Sequence, residues 1–165
     1  MGLYAEIKED FANAYRNDPA LTSKINFLFN YPGVWAVVWY RVAHRLYYAN
    51  FKRLSRVIMG LSQMLTNIDL HPAARIGKRL FIDHGIGVVI GETCVIEDDV
   101  LIYQGVTLGG VSLEQGKRQP TIRNGAVLGA GAKVLENITI GEYAKIEANS
   151  VVVTDCTDNA KQTGI

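Results

Sequence analysis

A short stretch of the chain, LFIDHGIGVVIGET at residues 80–93, sets an aspartate beside a histidine among aliphatic residues and glycines. Histidine is suited to proton transfer at neutral pH because its ordinary pKa lies near ~6.5. A carboxylate on the other ring nitrogen can hold the imidazole in one tautomer and make it an effective general base. Asp83 and His84 are therefore the first candidates for catalysis by proton transfer.

The chain has three histidines, and their surroundings differ. His44 lies in an apolar stretch with helical spacing, where a packing or capping role is expected. His71 precedes a proline, and we expect it to hold a turn. His84 is the remaining candidate for a base, and its structural alternative is a histidine that only stabilises the local turn.

A six-residue repeat of aliphatic side chains, which begins near Asp69, indicates how His84 is positioned. A fixed short period is typical of a solenoid, and six residues make one side of a three-sided coil, a short strand followed by a tight turn. The aliphatic residue of each repeat then faces the axis and stacks on its equivalent one coil away. The repeat is carried by Ile76, Ile82, Ile90, Ile96, Ile102, Leu108, Ile122, Leu128, Val134, Ile140, Ile146 and Val152.

Two interruptions of the repeat contain the polar residues of interest. Ile90 follows Ile82 by eight positions instead of six, and the two extra residues fall in DHGIG. Ile122 follows Leu108 by fourteen positions, and the eight extra residues fall in GGVSLEQGKRQPT. Regular solenoids depart from their repeat where something other than packing is required, so both interruptions are predicted to be functional.

Asp69 is the candidate partner of the histidine. It lies fifteen residues before His84, and a coil of three six-residue sides takes about eighteen residues. The two side chains are therefore expected to stack at one corner of the coil. The alternative is that Asp69 only caps the junction between the solenoid and the segment before it.

The residues before the repeat have the apolar spacing of helices. LYAEIKEDFANAYRN predicts a first helix, and further helices are expected at about 34–48 and 51–67. The apolar side chains of the last helix are Leu54, Val57, Ile58, Leu61 and Leu65. Between the first two helices, Asp18 and Pro19 suit an N-cap and a first helical turn, and Pro32 with Gly33 predicts a break.

These patterns predict an α+β chain of three parts. A helical region is expected at 1–68, a β-helix domain at 69–154 and a C-terminal tail at 155–165.

Composition excludes several classes of partner. The net charge of +1 gives no electrostatic case for nucleic acid or for an anionic membrane. The most apolar stretch is too short and too charged to span a bilayer. The two cysteines, Cys94 and Cys156, without a signal peptide before them, indicate reduced thiols in the cytoplasm. Cys94 lies within a repeat and is expected in the core.

Two long segments resemble the serine O-acetyltransferases, which belong to the hexapeptide-repeat acyltransferases. They are DLHPAARIGKRLFIDHGIGVVIGETCVIEDDVLIYQGVTLGG and KRQPTIRNGAVLGAGAKVLENITIGEYAKIEANSVV, and together they cover about residues 69–154. The resemblance extends more loosely over the helices, where Asp18 lies fifty-one positions before Asp69 as the family's aspartate does. It implies a left-handed parallel β-helix. It also implies transfer of an acetyl group from acetyl-CoA to the hydroxyl of L-serine, a step of cysteine biosynthesis.

The resemblance assigns roles to residues around both interruptions. It implies that His84, oriented by Asp69, is the general base of a direct transfer without an acyl-enzyme intermediate. Asp18 and Asp83 are then expected to contact the serine ammonium, and Arg118 the serine carboxylate. The alternatives are a helix cap for Asp18 and a solvated loop charge for Arg118.

Gln119 departs from the family, which usually has histidine at this position. A glutamine can hydrogen-bond a carboxylate or hydroxyl but cannot carry charge. The substitution therefore bears on the serine affinity, the pH profile and the strict choice of serine.

The positions that match the family's CoA contacts are Gly110, Ala130 and Ala148. Ala130 and Ala148 are eighteen positions apart, so they are expected one above the other on one face. Lys145 is a candidate to meet a CoA phosphate, and a solvated lysine is its alternative. The N–H groups of Gly109 and Gly110 are candidates to face the oxyanion. No metal is expected.

The resemblance also implies partners. A homotrimer with active sites between neighbours is expected, and a dimer of trimers is left open. The end of the chain, DNAKQTGI, has two interpretations. Ile165 matches the family's terminal isoleucine, which enters O-acetylserine sulfhydrylase, or the stretch matches the family's ENATVVGIPA, cut short. The second is slightly favoured.

Three other functions fit parts of the pattern. An acetyltransferase acting on a sugar or another small hydroxyl compound would share the solenoid. A zinc-dependent carbonic anhydrase of this fold needs three histidine ligands, and only His71 and His84 lie in the repeat region. A non-catalytic scaffold would not need the combination of Asp69, Asp83, His84 and Arg118.

Overall fold

The computed structural model describes residues 2–17, 30–112 and 115–163. Asp18, Pro19 and Ile165 lie outside these ranges, so the expectations for them stay predictions. Within the described ranges, three helices precede a series of short strands. The helices are α1 (Leu3–Asn17), α2 (Pro32–Tyr48) and α3 (Lys52–Thr66).

The strands form three parallel sheets, which are the walls of a three-sided coil. Wall 1 contains β1 (Asp69–Leu70), β4 (Val89–Ile90), β7 (Thr107–Gly109), β10 (Lys133–Leu135) and β13 (Val151–Val152). Wall 2 contains β2 (Arg75–Ile76), β5 (Val95–Ile96), β8 (Thr121–Ile122) and β11 (Thr139–Ile140). Wall 3 contains β3 (Phe81–Ile82), β6 (Leu101–Ile102), β9 (Val127–Leu128), β12 (Lys145–Ile146) and β14 (Lys161–Gln162). The predicted β-helix is confirmed.

The interior is a stack of the aliphatic residues that define the repeat. In wall 1, Leu70, Ile90 and Leu108 are at most 1% exposed and lie one above the other. Burying such a side chain contributes about 1.5–3 kcal/mol relative to leaving it exposed. Stacking of equivalent residues on successive coils is therefore the main source of stability in this domain.

The strand register shows how the interruptions are accommodated. Ile122 pairs with Ile140, eighteen positions later, where the repeat is regular. Ile76 pairs with Ile96 across twenty positions, because the first interruption adds two residues. Ile102 pairs with Leu128 across twenty-six positions, because the second adds eight. In both cases the extra residues leave the wall and the interior stack stays in register, as the sequence predicted.

Two corners of the coil carry the inserted residues. The histidine corner joins wall 3 to wall 1 and consists of residues 83–88, 103–106, 129–132 and 147–150. The loop corner joins wall 1 to wall 2 and contains residues 91–94 and the long insertion before β8.

A buried ion pair attaches α1 and α2 to the first coil. Arg41 Nε donates to Asp10 Oδ2 at 2.9 Å, and both side chains are less than 10% exposed. Arg41 also donates to the carbonyl oxygens of Ile76 (2.7 Å) and Gly77 (2.5 Å), while Asp10 Oδ1 accepts the backbone N–H of Arg79 at 3.0 Å. The helices are therefore attached to the first coil through a buried network of hydrogen bonds centred on Arg41 and Asp10.

The start of α2 differs from the prediction. Pro32 and Gly33 begin the helix instead of breaking the chain, because proline suits the first helical position, where no N–H partner is needed. A Cβ added at Gly33 would lie 2.1 Å from the carbonyl oxygen of Ile82, so only glycine allows this contact between α2 and wall 3.

The face that α3 buries was not predicted. Its buried residues are Ser55, Met59, Ser62 and Thr66, which are mostly small and allow close approach to α2. Ser55 Oγ, for example, donates to the carbonyl of Ala43 at 2.7 Å. Of the apolar residues in the sequence pattern, Ile58 packs against the core as expected for a buried face. The others form, together with Met64, an exposed apolar stripe on the single chain, which consists of Leu54, Val57, Leu61, Met64 and Leu65.

The solenoid extends beyond the predicted boundary at residue 154. Cys156 forms a bridge with Ile140, and β14 pairs with β12. The predicted tail at 155–165 is therefore corrected, since the coil continues through Gln162. The repeat is hidden there because polar residues replace the aliphatic ones. In the described part of the chain, none of the helices has the length and apolar character needed to cross a bilayer.

We predict that Arg41→Met lowers the free energy of unfolding by about 3–5 kcal/mol, because it leaves a buried carboxylate without its partner. Burial already raises the pKa of Asp10, so the deficit should shrink as the pH falls and the carboxylate becomes protonated. Denaturant titrations at one protein concentration measure both effects.

Lys161→Met is the control, because it breaks the exposed pair with Glu147. It should leave stability unchanged. An Arg41 variant as stable as the parent would show that this ion pair does not hold the helices on the coil.

Candidate active site

His84 lies on the outside of the histidine corner. It is exposed and adopts a left-handed backbone conformation with φ of 57°. The inserted turn is closed by a hydrogen bond from Gly85 N to Asp83 O (2.7 Å) and rests on the end of α3, where Gly87 N donates to Asn67 O (2.9 Å). The turn therefore presents the imidazole to solvent beside the start of wall 1.

Asp69 lies on the strand next to this turn. Its N–H donates to the carbonyl of Val88 at 2.9 Å, and its half-buried side chain faces outward because Leu70 faces the interior. Asp69 pairs in register with Val89, five positions after His84, so the two residues lie near one outer surface but do not stack at one corner as the sequence predicted. Within the described residues of this single chain, no hydrogen bond or ion pair joins the two side chains. The dyad therefore stays a prediction.

Asp83 is half-buried at the base of the same turn, and its N–H donates to the carbonyl of Ile102 at 2.9 Å. It is the immediate neighbour of His84, so the structure brings a second carboxylate to the histidine corner.

The second interruption returns to the solenoid at the loop corner. Thr93 Oγ1 accepts the backbone N–H groups of Arg118 (2.9 Å) and Gln119 (3.1 Å). Gln119 Oε1 accepts the backbone N–H of Thr93 at 2.9 Å and also its hydroxyl. Lys117 Nζ donates to the carbonyl of Gln119. These bonds attach the end of the long loop to the coil below.

The guanidinium of Arg118 is incompletely paired. Its Nε is buried without a hydrogen-bond partner among the described residues, and its Nη2 lies 3.8 Å from Glu92 Oε2. A buried donor without a partner costs about 1–3 kcal/mol, and a bidentate carboxylate would satisfy it. Arg118 is therefore suited to receive an anionic group.

Gln119 is 9% exposed and packs over Gly91. A Cβ added at Gly91 would lie 2.8 Å from Gln119 Cγ, so the glycine makes room for the glutamine.

The two corners lie on opposite edges of wall 1. A wall of about six residues at ~3.3 Å each separates them by roughly 15–20 Å. This separation of the two corners exceeds the length of a single amino acid.

The candidates for CoA contact are divided between the same corners. Ala130 and Ala148 stack at the histidine corner, where Asn149 N donates to Ala130 O at 2.8 Å. Gly110 lies at the loop corner, and a Cβ there would be 2.6 Å from the carbonyl oxygen of Arg118. Lys145 is exposed at the start of β12.

Glycines with a left-handed backbone conformation occupy the histidine corner on successive coils from His84 toward the C-terminal end of the prism, and they are called the glycine ladder. Gly87, Gly105 and Gly131 have φ values of 76°, 70° and 73°. A Cβ at Gly105 would lie 3.4 Å from the Cα of Gly131, so successive turns touch through their backbones. Ile86, next to Gly87, is 62% exposed at this edge, and the N–H groups of Gly105 and Gly131 donate to the carbonyls of Ile86 and Gln104 at 2.9 and 2.8 Å. The glycines themselves add no side chain to this edge of the prism.

The remaining histidines have the structural roles that were predicted. His44 Nδ1 lies 2.8 Å from the carbonyl oxygen of Pro72, and burial lowers the pKa of His44. His71 Nδ1 accepts the N–H of Ala73 at 3.1 Å in the first turn, and burial also lowers its pKa.

Cys94 is in the core, as predicted. Its thiol is 1% exposed, and burial raises its pKa to about 12.

The sequence pattern did not single out Glu92 and Thr93, although both lie in the segment LFIDHGIGVVIGET. Their position indicates a role, because they follow the first interruption and lie one coil below the second. They line a cavity of about 400 Å³ beside the loop corner, together with Tyr47, Tyr48, Ala73, Arg75, Cys94, Val95 and Lys117.

Comparison with known proteins places this geometry in a family. A family model described as bacterial transferase hexapeptide (six repeats) matches residues 119–154. The chain is 48% identical to a serine acetyltransferase of Bacillus pumilus over 159 residues, which are 96% of this chain and 73% of that protein. It is 49% identical to the Helicobacter pylori enzyme, covering 90% of this chain and 87% of that protein.

Solved structures agree with these relatives. A soybean serine acetyltransferase complexed with serine superposes with a TM-score of 0.94 at 41% identity and covers 99% of this chain and 67% of that one. A serine acetyltransferase in complex with CoA has a TM-score of 0.92. The chain spans 60% of the solved Neisseria gonorrhoeae enzyme and 63% of one in complex with cysteine.

The identities extend over nearly the whole chain and over most of the length of the bacterial relatives. The three parallel walls, the preceding helices and both interruptions therefore lie inside the matched region. The chain belongs to the serine acetyltransferases, with their left-handed β-helix of hexapeptide repeats.

Proposed function

We propose that this chain transfers the acetyl group of acetyl-CoA to the hydroxyl of L-serine, giving O-acetylserine and CoA. The observation that carries the proposal is the exposed His84, which stands on a two-residue insertion beside the strand of Asp69. The proposal is supported by relatives named serine acetyltransferase and by solved relatives in complex with serine and with CoA.

His84 is the general base of the transfer. It takes the proton of the serine hydroxyl as the oxygen attacks the thioester carbonyl, and the resulting imidazolium gives this proton to the departing CoA sulfur. The new C–O bond replaces the C–S bond without an enzyme-bound acyl group. Cys94 is not a nucleophile for this reaction because it is buried and its thiol stays protonated.

Asp69 is the orienting partner of the base. Its half-buried carboxylate faces outward at the start of wall 1, beside the turn that carries His84. A carboxylate in this role fixes the tautomer and stabilises the imidazolium that forms during the reaction.

The serine substrate is held by charges of both signs. Arg118 receives its carboxylate, which would satisfy the unpaired Nε. Asp83 beside the base, and Asp18 outside the described residues, face its ammonium. Gln119 lies next to Arg118 at the same corner and contributes hydrogen bonding without charge.

Acetyl-CoA lies along the histidine corner, above the base. The small residues of the glycine ladder and the stacked Ala130 and Ala148 leave room for an extended pantetheine arm to approach the coil. Lys145 stands on the neighbouring wall 3, where it can meet a phosphate. Gly109 and Gly110 complete the site from the loop corner of a second copy.

The active site is shared between copies of the chain, and we propose a homotrimer. The roughly 15–20 Å between the two corners supports this, because a neighbour can bring its loop corner to the histidine corner of the first chain. Exposed apolar residues also support it: the apolar stripe of α3, and at the histidine corner and on wall 1, Ile86, Val89 and Val151. A dimer of trimers, a cytoplasmic location and a sulfhydrylase contact through Ile165 stay predictions.

The basic experiment measures release of free CoA from acetyl-CoA, which should require L-serine and should not respond to sugars. Release with a sugar and not with serine would favour the alternative acceptor.

His84→Ala should lower kcat by about 10²–10⁴-fold, the usual contribution of a general base. His71→Asn is the matched control, because asparagine can still accept the N–H of Ala73, and its kcat should stay within about threefold of the parent. A His84 variant with parental turnover would remove this residue from the mechanism.

Co-expression tests the shared site. His84→Ala and Arg118→Ala should each be nearly inactive alone. When the two variants are produced in equal amounts and assemble at random, the whole pool of trimers should regain about a quarter of the parental activity, because one in four interfaces combines an intact histidine with an intact arginine. If both residues acted from one chain, mixing would restore nothing.

Leu61→Glu should lower the mass measured by light scattering, because it places a charge in the apolar stripe at the proposed contact between copies. Gln63→Glu adds the same charge outside the stripe and should leave the mass unchanged. Equal masses for the two variants would exclude the stripe from the assembly.

A further inference from the structure

We propose that Thr93 is a positioning residue for Arg118, and that it acts both by accepting the backbone N–H of Arg118 and through the side chain of Gln119. Thr93, Arg118 and Gln119 together are called the Thr93 clamp. The inference rests on the proposed function for the identity of the substrate, but the clamp itself rests only on hydrogen bonds within this chain.

The hydroxyl of Thr93 uses its full bonding capacity. It accepts the backbone N–H groups of Arg118 at 2.9 Å and Gln119 at 3.1 Å, and it donates its proton to Gln119 Oε1. A hydroxyl has one proton to donate and two lone pairs to accept with, so no capacity is left. Thr93 is therefore committed to the loop and is not free to bind a ligand.

The carboxamide oxygen of Gln119 is also fully used in hydrogen bonds within the clamp. Its Oε1 accepts both the N–H and the hydroxyl of Thr93, which uses both of its lone pairs. A neutral imidazole has a single acceptor nitrogen and could take only one of these donors. The glutamine is thus matched to Thr93, and we infer that it supports the loop and reaches the substrate at most through Nε2.

The clamp fixes the point where the long insertion rejoins the coil. Ordering a flexible segment costs about 1–2 kcal/mol per residue of backbone, so a loop that is anchored beforehand binds its ligand more tightly. Arg118 leaves the backbone at this anchored point, and its buried Nε is held ready for a carboxylate. Losing the clamp should therefore weaken acceptor binding and leave the proton transfer at His84 intact.

Variants at Thr93 and Gln119 test whether the clamp affects acceptor binding without affecting proton transfer. Thr93→Val keeps the shape but removes the hydroxyl, and Thr93→Ser restores it. Thr139→Val, on wall 2, is the matched control for losing a threonine hydroxyl. Gln119→Leu removes the acceptor from the other side of the clamp and serves as a second test should the valine variant fold poorly.

The first measurement does not depend on activity. Trypsin cleaves after Lys117 and Arg118, which the clamp protects by holding the adjoining backbone. Thr93→Val and Gln119→Leu should increase the rate of cleavage at these bonds by about tenfold or more, the effect of losing one or two net hydrogen bonds. Thr93→Ser and Thr139→Val should leave it within about threefold. Unchanged cleavage in both clamp variants would overturn the proposal.

The second measurement is the kinetic split. Thr93→Val should raise the KM for L-serine by about tenfold, while kcat and the KM for acetyl-CoA change by less than about threefold. A fall in kcat with unchanged serine KM would also overturn the proposal. If the parent protein releases no CoA when L-serine is added, the proposed function fails. The rate of trypsin cleavage still tests whether the clamp holds the loop.

Discussion

The stacking of aliphatic side chains on successive coils is the constraint on which the rest of this structure depends. Ile90 must lie over Leu70 and under Leu108, because each fills the interior that the others leave. Any residues beyond the repeat are therefore forced outward at a corner. The residues proposed for catalysis and for acceptor binding are among these displaced residues, and the stack holds them in place.

The division of the site between two corners follows from the same constraint. The first insertion follows wall 3 and the second follows wall 1, so the two insertions lie at opposite ends of wall 1. Within one chain the proposed base His84 and the proposed carboxylate-binding Arg118 therefore lie at different corners. An assembly of copies, which the proposed function uses to combine them, is consistent with the apolar side chains left exposed on α3.

Periodicity explains how much of this arrangement was predictable. The β-helix, both insertions and the core position of Cys94 followed from the spacing of aliphatic residues, since that spacing directly reflects the interior. The end of the coil was missed because Gln162 occupies a strand position without an aliphatic side chain. The outward orientation of Leu61 was missed because a helical pattern identifies an apolar face but not the surface that covers it. The Thr93 clamp joins residues twenty-five positions apart through a loop of irregular shape, which no period reveals.

Cys94 has a consequence for the chemistry that surrounds this enzyme. Its thiol is enclosed by the stacked coils, donates to the carbonyl oxygen of Leu108 at 3.4 Å and has a pKa near 12. Burial also raises the pKa of Cys156. Thiolate is the species that exchanges with disulfides and reacts with oxidants. Both thiols of this chain therefore stay protonated, and they exchange slowly with disulfides such as the oxidised form of cysteine.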